Sequence, residues 1–396
     1  MTDLPLKPLF DLPEGVIYLD GNSLGPLPRG AAERAAEVIG AQWGQELIRA
    51  WNSAGWISLP RQVGDRIGGL IGAPEGSVAT GDTLSIKVYQ ALAAALALRP
   101  DRRVVLSDRG NFPADLYMAQ GLIDTLGKGH ELRLVDPDQV QDALGPDVAA
   151  VLLTQVDFRS GRMHDMAAIT AAAHRAGAVM IWDLAHSAGA VPVDLTACQA
   201  EFAVGCSYKF LNGGPGAPAF IYARPDLIAD LRPALAGWMG HDAPFAMELA
   251  YRPAQGAERL RVGTPPILQL AVLDRALDVW QGVSMADLRA ASIALSERFI
   301  AAVEAQCPAL RLVSPRDPAQ RGSQVSFAFP QGYAAIQALI DRGVIGDFRA
   351  PDIMRFGITP LYLDAADIDR AAALIAEVIG SEIWRDPKYQ VRSRVT

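Results

Sequence analysis

Between residues 102 and 183 the chain alternates two textures. RRVVLS (102–107), ELRLVD (131–136), VAAVLLTQV (148–156) and AVMIWD (178–183) are short apolar runs. ADLYMAQGLI (114–123) and MAAITAAAHRAG (166–177) fill two of the gaps with helical spacing, the second closed by Gly177. Strands that are apolar without alternation must be buried on both faces, and strands separated by helices run parallel. The expectation is an α/β fold with a mostly parallel sheet covered on both sides. Ligands of such sheets gather beyond the carboxyl ends of the strands. That directs attention to Thr154, Asp183 and the start of the helix after SVATGDT.

The texture changes after about residue 265. Helical stretches at 267–281 and 284–306 precede LRLVSP and QVSFAFP, and a last helix is expected over 365–380. This reads as a smaller α+β domain. GTPPI (263–267) is the expected junction, because paired prolines cannot continue a helix. The expected division is an N-terminal segment over 1–60 that packs on the small domain and the substrate pocket, a large domain over 61–264 and a small one over 265–396.

A chain of 396 residues, half of them hydrophobic, can bury the cores of both. A net charge of −8 gives no electrostatic footprint for nucleic acid, so the expected partners are small molecules or a second copy. Cys198, Cys206 and Cys307 are isolated and form no CxxC or zinc spacing. No metal is expected, and the cysteine usage fits a reducing cytoplasm. MTDLPLKPLFDLPEG is acidic and broken by prolines, unlike a signal peptide. VYQALAAALAL, the most apolar helical stretch, is too short to cross a bilayer.

Three stretches carry chemistry. GDTLSIKVYQALAAALAL opens a helix whose first turn offers free N–H groups beside the Thr83 and Ser85 hydroxyls, an anion site unless Asp82 or Thr83 merely caps it. AVMIWDLAHSAGA sets Asp183 just past an apolar strand and His186 three residues on. The alternative there is an N-cap aspartate and a solvated histidine, but the small-residue turn lets a ligand approach the backbone. CSYKFLNGGPGAP places Lys209 where a strand runs into a Gly-rich turn, and a lysine held still is a carbonyl nucleophile. An aspartate for a pyridinium nitrogen, an imine-forming lysine and a helix N-terminus for phosphate are the parts of a pyridoxal 5′-phosphate (PLP) site.

At these residues the chain resembles the kynureninase family of fold-type-I PLP enzymes. The motifs are DGNSLG (20–25), NFPADLY (111–117), DLAHSAGA (183–190), CSYKFLNGGPGAP (206–218) and GWMGH (237–241), and the resemblance runs from about residue 15 to 380. It implies that Lys209 carries the cofactor and Asp183 binds the ring nitrogen. Phe112 stacks on the ring, His186 lies near its phenolic oxygen, and Leu84 and Ser85 hold the phosphate. Asp115 and Thr154 match further cofactor positions. Tyr208, Trp238 and Thr264 match positions near the phosphate, the last two reaching in from a second subunit of a homodimer. Arg355 in PDIMRFGITPLYL matches the arginine for the substrate α-carboxylate, a role that suits a bidentate guanidinium. Asn22 and Ser23, in the first motif, are substrate candidates.

The segment WGQELIRAWNSAGWISLP lacks the histidine that some members, chiefly eukaryotic, place against the aromatic ring. Trp51, Asn52 and Trp56 are the candidates there, and the preference between kynurenine and its ring-hydroxylated form stays open. The reaction implied is hydrolysis of L-kynurenine to anthranilate and L-alanine, a step of tryptophan breakdown. Tyr208 is the candidate for handling a proton during hydration, with a hydroxyl pKa lowered by the neighbouring lysine cation. A cysteine desulfurase or selenocysteine lyase is the alternative. It needs a nucleophilic cysteine on a loop, whereas Cys206 reads as part of a strand and Cys307 as a helix end.

Overall fold

The computed structural model describes Leu4 and residues 6–392. Strand β1 (Ile17–Tyr18) is followed by β2 (Val78–Thr80), β3 (Val104–Asp108), β4 (Glu131–Val135), β5 (Val148–Thr154), β6 (Val179–Asp183), β7 (Phe202–Gly205) and β8 (Phe220–Ala223). Strands β2 to β8 form one sheet in the order β2-β8-β7-β6-β5-β3-β4. The expected strands are present, most of them a residue or two shorter than the apolar runs suggest. β4, β3, β5, β6 and β7 are mutually parallel, while β8 runs against both its neighbours. The 206–219 connection contains no helix, so the strand after it returns antiparallel.

Alternation along each central strand sends side chains into two separate cores. Val105, Leu152, Ile181 and Val204 meet Val88, Leu92 and Leu122 of the Leu84–Leu98 and Pro113–Leu126 helices. Leu106, Val151, Leu153, Met180 and Trp182 meet Ile169 and Ala173 of the Met166–Ala176 helix and Leu270 and Leu273 of the Ile267–Ala276 helix. Asp165 starts the Met166–Ala176 helix by accepting from the Ala168 N–H at 2.9 Å, and Gly177 at φ +77° ends it.

The small sheet contains β9 (Arg311–Leu312), β10 (Gln324–Ala328), β12 (Asp347–Arg349) and β13 (Ile353–Gly357), antiparallel in the order β12-β13-β10-β9. The 22-residue Met285–Gln306 helix packs beside it and against the Ala365–Gly380 helix. β1 pairs in parallel with β11 (Val344–Ile345), so the N-terminal stretch is laced to the C-terminal part of the chain. Among the described residues, no helix is long and apolar enough to cross a membrane.

Candidate active site

Register delivers the first residues. Thr154 and Asp183 are Cα partners at the last positions of β5 and β6. Both are buried, at the carboxyl edge where a ligand of this sheet class sits. Asp183 Oδ1 accepts from the Ala185 N–H at 2.8 Å. Burial pushes its carboxyl up to about 6, against the pull of the Lys209 ammonium and the Ala185 amide. Asp115, in the first turn of the Pro113–Leu126 helix, is also buried, and its Oδ2 has no partner. Burial, then Asp183, raise Asp115 well above the ordinary carboxylate range while Lys209 opposes them.

Lys209 is 9% exposed and its Nζ lies 3.3 Å from His186 Nε2. The same nitrogen lies 3.2 Å from the Asn22 carbonyl. A ring nitrogen accepts from the lysine or donates to the carbonyl, but not both at once. Burial first, then Lys209 and Arg355, hold His186 well below its usual pKa, so the imidazole is neutral. The Phe112 ring centroid is 5.8 Å from Lys209 Nζ, and Phe112 meets Phe158 edge-on at 5.1 Å. Phe112 sits at the N-cap with Pro113 following, which fixes where its ring leaves the helix.

The loop of residues 20–25 closes over this floor. The Gly25 N–H donates to the Tyr208 carbonyl at 2.8 Å. A Cβ at Gly25 would lie 2.5 Å from the Lys209 carbonyl and from Asn212 Oδ1, so only glycine lets the two loops touch. Asn22 is fully buried and its Oδ1 has no partner.

Leu84 and Ser85 open the Leu84–Leu98 helix, and the hydroxyl of its N-cap, Thr83, makes no capping bond. The simple-cap alternative therefore fails for Thr83. Asp82 turns away to Lys87 at 3.0 Å. The first amides of the helix are left for an anion. With the unpartnered Asp115 oxygen and the buried lysine, this donor set fits a phosphorylated pyridine aldehyde.

Arg355 is buried, 1% exposed on β13. Its fork is not open for a bidentate grip but faces protein. Nε donates to Asp347 Oδ1 at 2.7 Å, Nη2 to Asp347 Oδ2 and to Ser23 Oγ at 2.8 Å, and Nη1 to the Phe158 carbonyl at 2.7 Å. Of the five N–H groups, one on Nη1 stays uncommitted.

Two further expectations are corrected. Tyr208 is not acidified by Lys209, whose Nζ lies 5.7 Å from its ring centroid. Burial, then Cys206 and Asp183, push the phenol up, so it keeps its proton. Trp56 belongs to the core, 9% exposed, with its indole N–H on Gln42 Oε1 at 2.8 Å and its ring edge-on to Trp51. Its neighbours do face space. Trp51, Asn52, Ile48 and Ile57 line a cavity of about 570 Å³ with Trp238, Phe245 and Thr264. Trp238 and Thr264 thus gather on an apolar surface, and no hydrogen bond or ring contact ties either to Lys209. Sequence reasoning passed over Asp347 and Phe158. Neither stands in a recognisable spacing, since Asp347 meets Arg355 through β12 and β13 and Phe158 through a loop folding back.

The C-terminal domain model of kynureninase matches residues 288–375. A kynureninase of Burkholderia pseudomallei (strain 1106a) and one of Pseudomonas fluorescens are each 51% identical over 99% of this chain and 96% of their own. The chain belongs to the kynureninase family. Among solved structures, the cystine C-S lyase C-DES bound to cysteine persulfide superposes with a TM-score of 0.81 at 20% identity, covering 92% of this chain and 98% of that one. Cysteine desulfurase CsdA of Escherichia coli gives 0.80 at 17% identity, covering 96% and 99%. At such identity these share the fold alone, which is that of fold-type-I PLP enzymes.

Proposed function

We propose that this protein hydrolyses L-kynurenine to anthranilate and L-alanine with PLP as its cofactor. The observation that carries the reading is the 51% identity to kynureninases over nearly the whole chain. The clustering of Lys209, His186, Asp183 and Asp115 beyond the strand ends supports it.

Lys209 is the residue to hold the cofactor, Leu84 and Ser85 to bind its phosphate, and Phe112 to flank its ring. Thr154 and His186 border the same floor. Once bound, PLP draws the electrons of the cleaved substrate bonds into its ring. Asp183 serves that chemistry by holding a proton on the pyridine nitrogen, a role that suits a buried carboxyl beside a cation. The Lys209 amine is the group placed to take the proton from the substrate α-carbon. Tyr208 keeps its proton and acts as a hydrogen-bond donor during hydration of the γ-carbonyl. Arg355 binds the α-carboxylate through its open Nη1, and a bidentate grip requires Asp347 or Ser23 to yield a bond. Asn22 offers its free Oδ1 to the substrate.

We further infer a cytoplasmic homodimer in which Trp238 and Thr264 serve the partner's site. Trp238, Phe245 and Ile48 are exposed around the apolar cavity, which supports burial against a second copy. The cysteine-lyase alternative gains no support. Cys206 and Cys307 are buried and their thiols are pushed up in pKa by that burial. Anthranilate fluorescence on adding L-kynurenine to the PLP-loaded protein tests the reaction. Sulfide release from cysteine without anthranilate would overturn it.

A further inference from the structure

Lys87 is the most fully buried lysine among the described residues, at 0% exposure, and nothing in the reaction uses it. It lies one turn into the Leu84–Leu98 helix, under the amides assigned to the phosphate. Its ammonium has three hydrogens and three acceptors: Asp82 Oδ2 at 3.0 Å, Gln90 Oε1 at 3.0 Å and the Leu260 carbonyl at 3.2 Å. Gln90 Nε2 shares the Leu260 carbonyl at 3.0 Å. Burying a lysine is costly unless every hydrogen is matched, as here. Asp82, its ionic partner, holds φ +55°, a conformation that L-residues other than Asn and Asp rarely adopt. Gly81 before it has φ +143°.

The pair Gly81–Asp82, both at positive φ, directs the chain into the helix so that Thr83 starts it without capping it. An aspartate beside a helix N-terminus normally turns its carboxylate onto those amides. Here the carboxylate is held on Lys87, and the amides stay free. The other acceptor matters as well. Leu260 ends the Gly256–Leu260 turn, and the next residues run to Thr264. The Val262 carbonyl accepts from the Met239 N–H at 3.3 Å, next to Trp238. A Cβ at Gly237 would sit 2.0 Å from the same carbonyl, so these two stretches are pressed together. Arg261 beside Lys87 is engaged by Glu258 at 2.7 Å. Lys87 is therefore a post joining the phosphate turn of one site to the segment that carries Trp238 and Thr264.

We propose that Lys87 is a positioning residue for the phosphate cradle, withdrawing the Asp82 carboxylate from the helix amides and anchoring the turn to the Leu260 carbonyl. The inference rests on the assignment of Leu84 and Ser85 to the PLP phosphate. Without Lys87, the Asp82 carboxylate is released toward the amides and competes with the phosphate.

The test compares affinity for PLP with affinity for pyridoxal, which lacks the phosphate. Dissociation constants of the apoprotein are measured by quenching of tryptophan fluorescence for wild type, Lys87→Met, and Lys87→Met with Asp82→Ala. Wild type should prefer PLP strongly. Lys87→Met should weaken PLP by about ten-fold and leave pyridoxal within two-fold, a difference of the size of one charge-assisted hydrogen bond. Adding Asp82→Ala should restore part of the preference by removing the competing carboxylate. If wild type binds the two aldehydes alike, the phosphate assignment itself fails. If wild type discriminates but Lys87→Met keeps its preference, or loses both ligands equally with a lowered apoprotein Tm, Lys87 is structural only. Should Lys87→Met not fold, Lys87→Gln, which keeps a donor without the charge, carries the same comparison.

Discussion

The floor around Lys209 and the cavity around Trp238 are built on opposite terms. The floor is made by strand ends: Thr154, Asp183 and the turn to Lys209 arrive together because β5, β6 and β7 run parallel and in register. Its polar groups are buried, and several lack partners, notably Asp115 Oδ2 and Asn22 Oδ1. The Trp238 cavity is made by short helical turns and loops, is lined mainly by aromatic and aliphatic groups, and leaves Trp238 42% exposed and Phe245 64% exposed. Unpartnered buried polar atoms ask for a small polar ligand. An open apolar surface asks for a protein. Under the proposed dimer, one chain supplies the polar floor of its own site and an apolar surface for its partner.

The largest expected effect falls on the floor. Lys209→Ala should lower turnover on the order of 10⁴-fold and remove the borohydride-trappable link between protein and cofactor, read by mass spectrometry. A trapped adduct on another lysine would show that the floor is misassigned. Asp183→Asn should reduce kcat on the order of 10³-fold with PLP still bound, because an amide cannot hold the ring proton.

The same substitution gives a pH test in the apoprotein. The Asp183 carboxyl is raised to about 6 from an ordinary value near 3.8, so its burial destabilises the folded state once it ionises. Its contribution is favourable below about pH 4 and is lost as pH rises through about 6. Apo Asp183→Asn should therefore melt higher than wild type at pH 8, with the gap closing towards pH 4. An equal gap at both pH values would mean that Asp183 is not strained in its pocket.

Arg355→Ala should raise KM roughly 10²-fold with PLP affinity unchanged, the cost of losing a desolvated cation for the α-carboxylate. An unchanged KM would leave Arg355 as a partner of Asp347 only. The two-copy reading is sharpened by mixing Lys209→Ala chains with chains carrying Trp238→Ala and Thr264→Ala. Mixed dimers hold one intact site, so activity should recover to at most roughly a quarter of wild type if chains reassort at random. Mixed dimers shown by native mass spectrometry but without activity would place all site residues in one chain. The smallest effect is expected from Trp56→Phe. KM for kynurenine should change less than about two-fold, while denaturant unfolding should show a loss of about 1 kcal/mol for the indole hydrogen bond to Gln42. A large KM change would return Trp56 to the substrate pocket.

Much of the floor was legible in the sequence because local pattern fixes it. Apolar runs between helices give a parallel sheet, and a parallel sheet puts Thr154, Asp183 and the turn to Lys209 on one edge. The motifs around Asp183, His186 and Lys209 added the chemistry. Pattern alone did not decide the surroundings that set each group's behaviour. Tyr208 keeps its proton because of burial, which adjacency to Lys209 in the chain does not reveal. Arg355 is held by Asp347 because β12 and β13 pair Asp347 with Arg355 directly. Trp56 is core and Trp51 is cavity, although both are tryptophans five positions apart. Lys87 reads as one more cation on an alanine-rich helix until Leu260, far along the chain, closes over it. The sequence by itself determined which elements form and which edge gathers the candidate site, since those follow from hydrophobic period and turn residues. The tertiary structure decided solvation and partnership, since desolvation and long-range hydrogen bonds depend on residues that no local pattern brings together.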